Sequence, residues 1–292
     1  MQATAKNLLK TITNPIVTVI LALLIGSFLV LPTGTSPVQA YAALFRGAFG
    51  STNALLGTLM CSTPLLFCGL SACIALKSNV FNIGIEGQMH IGALAAGIAA
   101  VYFGSFPGWI LIPICFICAG FTAMLWSVIP AFLKSKYNIS LIISSIMMNN
   151  LGILLTTYLA SYPLKGDLPL AATQKIPEHA VLPKLSHLSD FNVGFFLALM
   201  IAILLYFIIF RTPFGYEIRA LGISQSFAKY IGVNINKKFF IVMFVSALIA
   251  GFAGAETFKC FSGYSDEVID RLVMRDDERR NSSTDSEIST TK

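Results

Sequence analysis

Seven apolar segments follow one another along the chain, and most are long enough for a helix to cross a membrane. A hydrocarbon core of roughly 30 Å needs about 20 helical residues. The segments lack the alternation of polar and apolar residues typical of a membrane β-barrel. The pattern therefore predicts an all-α polytopic membrane protein with about seven transmembrane helices: Pro15–Leu31, Ala54–Leu76, Met89–Phe103, Trp109–Leu133, Ile139–Ser161, Val193–Phe210 and Phe239–Ala255.

Composition supports the same class. Of the 292 residues, 55% are hydrophobic and only 12% are charged, whereas soluble domains carry about 25% charged residues. The net charge of +6 does not indicate nucleic acid, because the basic residues lie at the ends of the apolar segments. No nucleophile–base pair, cofactor loop or catalytic residue stands out, which argues against a soluble enzyme.

The basic residues also predict the orientation, because short cytoplasmic loops collect Lys and Arg. With a cytoplasmic N-terminus, ten basic residues are inside and four are outside before the tail. The inside set is Lys6, Lys10, Lys77, Lys134, Lys136, Arg211, Arg219, Lys229, Lys237 and Lys238, and the outside set is Arg46, Lys165, Lys175 and Lys184. A cleaved signal peptide ending near V38-Q39-A40 is the alternative for the first segment.

Two connecting loops divide the predicted membrane domain, residues 1–256. The loop 162–192 is polar, proline-rich and extracytoplasmic in this orientation. It holds His179 and His187, which are more consistent with surface histidines than with a metal site. Cys115 and Cys118 lie on an apolar helix without a neighbouring carboxylate, so we expect packing residues and no metal.

The inside loop, residues 211–238, is longer than a hairpin needs and predicts two short helices. Thr212 and Pro213 suit a helix start, and an apolar stripe follows with a spacing of three to four residues (Phe214, Ile218 and Leu221). Gly222 is expected to break the first helix, and Ser224 to cap a second helix at Gln225–Tyr230. Such a stripe must be buried, which suits docking of a partner; an interfacial helix on lipid is the alternative.

One carboxylate stands inside the apolar part, in N82-I-G-I-E-G-Q88. Glu86 is the first acidic residue of the chain, and a charge at bilayer depth costs about 2.5–3.5 kcal/mol on insertion scales. Three interpretations stay open. Asn82 caps a helix with Glu86 in its first turn; or Gly84 and Gly87 break the helix, and Glu86 pairs with another span or is hydrated; or Glu86 binds substrate hydroxyls.

The remaining polar candidates for a substrate path are Gln88 and the pair Asn149 and Asn150, in "SSIMMNNLGILL". The two asparagines either form interhelical hydrogen bonds or line the path. Met89–Phe103 is short for a span, so it is also a candidate for one half of a broken helix that includes Glu86.

The segments "FNIGIEGQMHIGALAAG" and "RTPFGYEIRALGISQSFAKYIGVNINKKFFIVMFVSALIAGFAGA" resemble the membrane permease subunits of bacterial ABC importers, in the branch for simple sugars and nucleosides. The form F-N-I-G-x-E-G-Q is more similar to the nucleoside-type permeases. The resemblance spans roughly Pro15 to Ala255, and its two motifs occur in the expected order.

This resemblance implies a multi-pass protein of the bacterial inner membrane with a coupling helix that docks into a separate ATP-binding subunit. Its coupling residues would be Arg219, Gly222, Ala228 and Gly232. The other implied partners are a second permease or a second copy, an extracytoplasmic binding lipoprotein and a nucleoside or sugar. No cofactor is expected, because the chain lacks a G-x-x-x-x-G-K-[ST] phosphate loop and ATP would bind the partner.

The segment 257–292 differs in character, with 14 charged residues in 36, and is expected to be a disordered acidic tail. Family members continue here with further apolar spans. The interpretations are a permease truncated by a frameshift near codon 256 or a natural short variant. Two alternative functions follow: a proton-coupled secondary transporter that uses Glu86, or a truncated remnant that does not transport.

Overall fold

The computed structural model describes residues 17–162, 164, 184–186 and 189–257. Ten α-helices, one 3₁₀ turn and one short hairpin make up this part of the chain. In order they are α1 (Val17–Val30), the 3₁₀ turn Leu31–Thr33, α2 (Pro37–Phe49), α3 (Thr52–Lys77), α4 (Ile85–Tyr102), α5 (Gly108–Tyr137), α6 (Leu141–Ser161), β1 (Lys184–Ser186), β2 (Ser189–Asn192), α7 (Gly194–Arg211), α8 (Pro213–Ile223), α9 (Gln225–Tyr230) and α10 (Ile235–Thr257).

Each of the seven predicted apolar segments is a helix. Five are long and apolar enough to cross a membrane: α3, α5, α6, α7 and α10. Helix α1 is apolar but shorter, and α4 has 18 residues and begins with polar ones. The prediction of an all-α polytopic membrane protein is confirmed; the short antiparallel pair β1–β2 is the addition that the pattern did not show.

The chain divides into two units, residues 1–58 and 59–292. The first unit holds α1, the 3₁₀ turn, α2 and the first turns of α3. Tyr41 of α2 donates a hydrogen bond to the carbonyl of Leu23 on α1 over 2.6 Å. Thr58 joins α3 to α2 through the carbonyl of Ala48 over 3.0 Å. Most large apolar side chains of α1 and α2 are exposed, as expected for helices that contact lipid.

The second unit has α10 at its centre. In the most apolar 18-residue stretch of α10, 61% is buried, whereas in that of α7 only 22% is buried. Small residues allow this close packing. A Cβ added to Gly92 of α4 would lie 2.8 Å from the Cα of Gly251 on α10. A Cβ added to Gly251 would meet the carbonyl of Ala119 on α5. A side chain at Gly254 would likewise meet the backbone of Met89.

Two helices of this unit end at an asparagine with left-handed backbone. Asn79 follows α3 with φ 56°, and Asn138 follows α5 with φ 51°. Asn tolerates this conformation better than most residues, and after Asn138 the chain turns at once into α6. The predicted loop 162–192 and the segment 258–292 lie mostly outside the described residues, together with His179 and His187, so their predictions stay predictions.

Candidate functional site

The Glu86 segment forms the entry to α4. The chain leaves α3 at Lys77, and α4 begins at Ile85 with Gly84 as its N-cap residue. Glu86 lies in the first turn, as the first interpretation predicted. Asn82, however, is not the cap residue: its Oδ1 accepts the amide of Gly84 over 3.2 Å, which fixes the turn before the helix.

Gly84 and Gly87 do not break α4, and this part of the prediction is wrong. The helix starts at Ile85, directly after its cap residue Gly84, and includes Gly87. Gly87 instead allows a close approach to α6. A Cβ at Gly87 would lie 2.8 Å from the Cα of Asn149, and one at Gly152 would lie 3.1 Å from the carbonyl of Gly87. The predicted short segment Met89–Phe103 therefore begins four residues earlier, at Ile85.

Asn82 and Gln88 belong to a buried hydrogen-bond network. Nδ2 of Asn82 donates to Oε1 of Gln88 over 3.1 Å and to Oγ of Ser246 over 3.0 Å. Ser71 donates to the carbonyl of Ser246 over 2.7 Å. These four side chains, from 0% to 7% exposed, join α3, the α3–α4 connection, α4 and α10. We call Ser71, Asn82, Gln88 and Ser246 the buried amide network.

Glu86 faces a different environment. Two residues along a helix differ by about 200° in direction, so Glu86 and Gln88 lie on opposite sides of α4. Glu86 is exposed, and its Oε2 accepts Nδ2 of Asn149 over 3.0 Å. Oδ1 of Asn149 in turn accepts the amide of Gly87. We call Glu86 and Asn149 the open carboxylate pair, because its oxygens are accessible.

Of the two asparagines on α6, Asn149 therefore forms interhelical hydrogen bonds and Asn150 does not. Nδ2 of Asn150 donates to the carbonyl of Ile146 on its own helix over 3.1 Å, and its side chain is exposed. The structure brings Glu86 and Asn149 together and leaves Asn150 beside them on the exposed side of α6.

Sequence reasoning missed Ser71 and Ser246, because single serines in apolar helices carry no distinctive pattern. It also missed the contacts of Met89, whose sulfur accepts from Cys68 at 3.8 Å and from the hydroxyl of Thr257 at 3.9 Å. These contacts tie α3 and α10 to the helix that carries Glu86.

Glu256 is a further acidic residue that the pattern did not single out. It lies near the end of α10, only 1% exposed. A Cβ at Gly194, the first residue of α7, would lie 2.5 Å from its carboxylate carbon. Glu256 thus lies beside the N-terminal end of α7, where the helix dipole favours a carboxylate.

The loop between α7 and α10 contains the two predicted short helices. The Thr212 hydroxyl accepts the amide of Gly215 over 3.2 Å at the start of α8. The Ser224 hydroxyl accepts the amide of Phe227 over 3.3 Å at the start of α9. Both predicted caps are confirmed. Gly232 follows α9 with φ +83°, a left-handed conformation that favours glycine.

Gly222 does not break α8, contrary to the prediction. The helix includes it and ends at Ile223, and the extended backbone of Ser224 makes the break. Gly222 is required for a different reason: a Cβ there would meet the carbonyl of Lys77 at the end of α3. The glycine lets the loop pack directly on the membrane helix that ends beside it.

The apolar stripe of α8 is buried within the chain, so neither a partner nor lipid covers it. Ile218 is 0% exposed and packs in one cluster with Val242 and Met243 of α10. Ala228 of α9 is also 0% exposed. The predicted coupling residues Gly222 and Ala228 thus lie inside the loop, where they hold its shape.

The outer face of the loop carries other large apolar side chains. Tyr230 is 90% exposed and Ile223 is 85% exposed, and Phe227 and Tyr216 are about half exposed. An exposed apolar group of this size on a polar loop indicates an interaction surface. We call Tyr216, Ile223, Phe227 and Tyr230 the loop tip.

Arg219 lies at the base of the same loop. Its guanidinium carbon is 5.3 Å from the ring centre of Phe210, and Nζ of Lys77 is 5.9 Å from the same centre. Glu217 forms an ion pair with Lys238. Among the described residues, no group of three or more His, Cys, Asp or Glu side chains is placed to hold a metal.

Comparison with known proteins adds the family. A family model described as "Branched-chain amino acid transport system / permease component" matches residues 54–266. A guanosine ABC transporter permease protein of Bacillus subtilis is 34% identical over 246 residues, which cover 82% of this chain and 70% of the relative.

Two further relatives have similar coverage. A glucose ABC transporter permease protein of Haloferax volcanii is 29% identical over 254 residues, covering 82% of this chain and 66% of the relative. A nucleoside ABC transporter permease protein of Lactococcus lactis is 25% identical over 257 residues, covering 85% and 71%. No solved structure matches the chain.

Proposed function

The chain belongs to the permease component family of the branched-chain amino acid transport system, and on this premise we propose that it forms the membrane path of an ATP-driven importer for nucleosides or simple sugars. The observation that carries the proposal is the 34% identity to a guanosine permease over most of the chain. The glucose permease among the relatives keeps simple sugars in the cargo class.

The partners follow from the same premise. An ATP-binding subunit supplies the energy, and an extracytoplasmic binding lipoprotein delivers the cargo. A second permease, either a copy of this chain or a related one, completes the path. We place the assembly in the bacterial cytoplasmic membrane, with the N-terminus and the loop 211–238 on the cytoplasmic side, as the excess of basic residues favours.

We propose that the loop tip contacts the ATP-binding subunit. The support is its exposure: Ile223 and Tyr230 present most of their surface, while the apolar stripe behind them is fixed to α10. Arg219, Gly222, Ala228 and Gly232 contribute by shaping the loop. Because Gly222 rests on the carbonyl of Lys77, movement of the loop would reach α3 and the segment that leads to Glu86.

For the cargo path we propose three polar side chains: Glu86 and Asn150, which are exposed, and Asn149, which is half-buried. Carboxylate and amide groups form hydrogen bonds with the hydroxyls of a ribose or a hexose. Asn82 and Gln88 were candidates for the same role. Their side chains are buried and bonded to one another, so their contribution is to fix the helix that presents Glu86.

The test is uptake into proteoliposomes that contain this chain with its ATP-binding subunit, a binding protein and, where it is distinct, the second permease. Labelled guanosine and labelled glucose are offered with ATP or with a non-hydrolysable analogue inside. We expect accumulation of at least one cargo with ATP alone. Uptake that follows a pH gradient and ignores ATP would instead support a secondary transporter, and no uptake with a bound ATPase would support a remnant.

Docking is tested separately by co-purification of the ATP-binding subunit. Ile223→Asp together with Tyr230→Ala should abolish co-purification, because a charge and a void replace the exposed apolar contacts. Tyr137→Ala is the matched control, since Tyr137 is 61% exposed at the end of α5 and lies outside the loop. Equal co-purification of both variants would refute the docking surface.

A further inference from the structure

Two cations share one aromatic ring at the end of α7. Nζ of Lys77 lies 5.9 Å and the guanidinium carbon of Arg219 lies 5.3 Å from the ring centre of Phe210. A cation over an aromatic face is attracted to the ring. The ring does not neutralise the charge, however, so two positive charges remain close to one residue.

The packing of α8 on α3 forces this arrangement. Gly222 contacts the carbonyl of Lys77, and Arg219 precedes Gly222 by three positions, which places both on one face of α8. The face that carries Arg219 is thus held against the residue that carries the second charge. Like charges repel, so a bound anion beside this ring would stabilise both cations.

No carboxylate in the described part of the chain forms an ion pair with either cation. Glu217 is the acidic residue of α8, and it pairs with Lys238 on another side of the helix. Nε of Arg219 is buried and lacks a hydrogen-bond acceptor among the described residues. Arg219 as a whole is half-buried and Lys77 is exposed, so both charged side chains are open to an anion at the membrane surface. Such an anion would supply the negative charge that the described residues do not provide.

The same ring ends a lipid-facing stripe. Large apolar side chains on one face of α7 are about half exposed or more, and they recur at three- or four-residue steps up to Phe210, which is itself 41% exposed: Phe196, Met200, Ile203 and Phe207. In a membrane-spanning helix such a stripe contacts acyl chains. An anion at its basic end therefore has apolar surface directly beside it.

We propose that Lys77 and Arg219 bind the phosphate of an anionic phospholipid, with an acyl chain along the exposed stripe of α7. Arginine forms strong charge-assisted hydrogen bonds with phosphate, and basic groups at the cytoplasmic membrane surface select anionic lipids. The site is separate from Glu86 and from the loop tip. The proposed lipid site is distinct from the import function and does not depend on which cargo is carried.

The experiment is a lipid titration of the purified full chain in a zwitterionic detergent, followed by native mass spectrometry. The probes are phosphatidylglycerol, phosphatidylcholine with the same acyl chains, and inorganic phosphate. We expect phosphatidylglycerol to bind in preference to phosphatidylcholine, and inorganic phosphate to compete poorly because it lacks the acyl chain. Lys77→Gln should weaken phosphatidylglycerol binding about fivefold, the effect of one charge at a membrane surface.

Lys136→Gln is the matched control. Lys136 is exposed and lies 5.2 Å from the ring centre of Phe132 at the end of α5, so the variant removes the same charge from a similar contact elsewhere. It should bind phosphatidylglycerol as the parent does. Arg219→Lys should retain part of the binding and Arg219→Gln should lose it. If Arg219→Gln does not fold, the exposed Lys77 side chain still provides the test.

Three results would overturn the proposal. Equal binding of phosphatidylglycerol and phosphatidylcholine would show that the charge is not used. Full competition by inorganic phosphate would assign the site to a free anion. An equal loss in Lys136→Gln and Lys77→Gln would show attraction to the positive surface as a whole.

Discussion

The two sides of the first turns of α4 differ sharply, although both are polar and both lie among apolar helices. On one side, Gln88 closes the buried amide network with Asn82 and Ser246. On the other side, Glu86 meets Asn149 and remains exposed. Polar groups that satisfy each other in a buried position hold helices together, whereas an exposed carboxylate beside a neutral amide retains hydrogen-bonding capacity for a visiting molecule. Four substitutions test this division, from the largest expected effect on stability to the smallest.

Asn82→Ala should produce the largest effect. It removes the partner of Gln88 and Ser246 and the acceptor of the Gly84 amide. Each stranded buried group costs about 1–3 kcal/mol, so we expect a loss of about 3 kcal/mol in the free energy of unfolding. Thermal unfolding of the purified protein measures it. Stability equal to that of the parent would show that the network does not hold α4.

Gly87→Val should have the next largest effect, because a side chain there meets the backbone of Asn149 on α6. Overpacking of this kind costs about 1–3 kcal/mol. It also separates α4 from α6 and therefore breaks the open carboxylate pair. The control is Gly69→Val, since nothing lies within 4 Å of a Cβ at Gly69. Similar melting temperatures for both variants would contradict the close approach.

Asn149→Ala should destabilise the protein by about 1 kcal/mol, because it removes two hydrogen bonds between helices, to Glu86 and from the Gly87 amide, and such bonds average about 0.6 kcal/mol each. It removes the neutral partner of Glu86 and leaves the buried amide network intact. Transport should fall by more than the stability change explains, because Glu86 is no longer oriented. Asn150→Ala is the matched control on the same helix, bonded only to its own backbone. A melting temperature lowered as far as by Asn82→Ala would refute the division.

Glu86→Gln should leave stability nearly unchanged, because the amide oxygen still accepts the hydrogen bond from Asn149. Uptake by the complete transporter then reports on the charge itself. A fall in uptake with unchanged melting temperature assigns the charge to the cargo path. Full uptake would limit Glu86 to the start of the helix, where the dipole alone favours a carboxylate.

Much of the fold could be predicted from the sequence, because hydrophobic length is a strong signal in membrane proteins. Each of the seven predicted segments is a helix. Thr212 and Ser224 cap α8 and α9, as predicted. The errors concern glycine. Gly222 was predicted to break a helix, and one of the three interpretations of Glu86 gave Gly84 and Gly87 the same role, yet Gly87 and Gly222 lie within helices and allow close contacts. Sequence spacing cannot distinguish these uses, since the difference depends on a neighbour far away in the chain.

The site was predictable in its residue types but not in its pairing. Glu86, Asn82, Gln88 and Asn149 were recognised because polar side chains are rare in apolar segments. Their division into two groups depends on Ser246, more than 150 residues later, whose hydroxyl receives the amide of Asn82. The same holds for the loop. The stripe of α8 predicted an apolar contact, and only the fold shows that α10 provides it.

The position of α10 in the chain has a consequence for synthesis. This helix packs at the centre of its unit, yet it is translated after the other described helices of that unit. Until Ser246 leaves the ribosome, Ser71 and Asn82 lack their shared partner, and Gly92 of α4 lacks its contact with Gly251. Before α10 is inserted, the earlier helices therefore lack part of the packing that holds them together. Assembly is completed by the last central helix, so an interruption of translation before α10 should be more damaging than a change of similar size at the surface of α7.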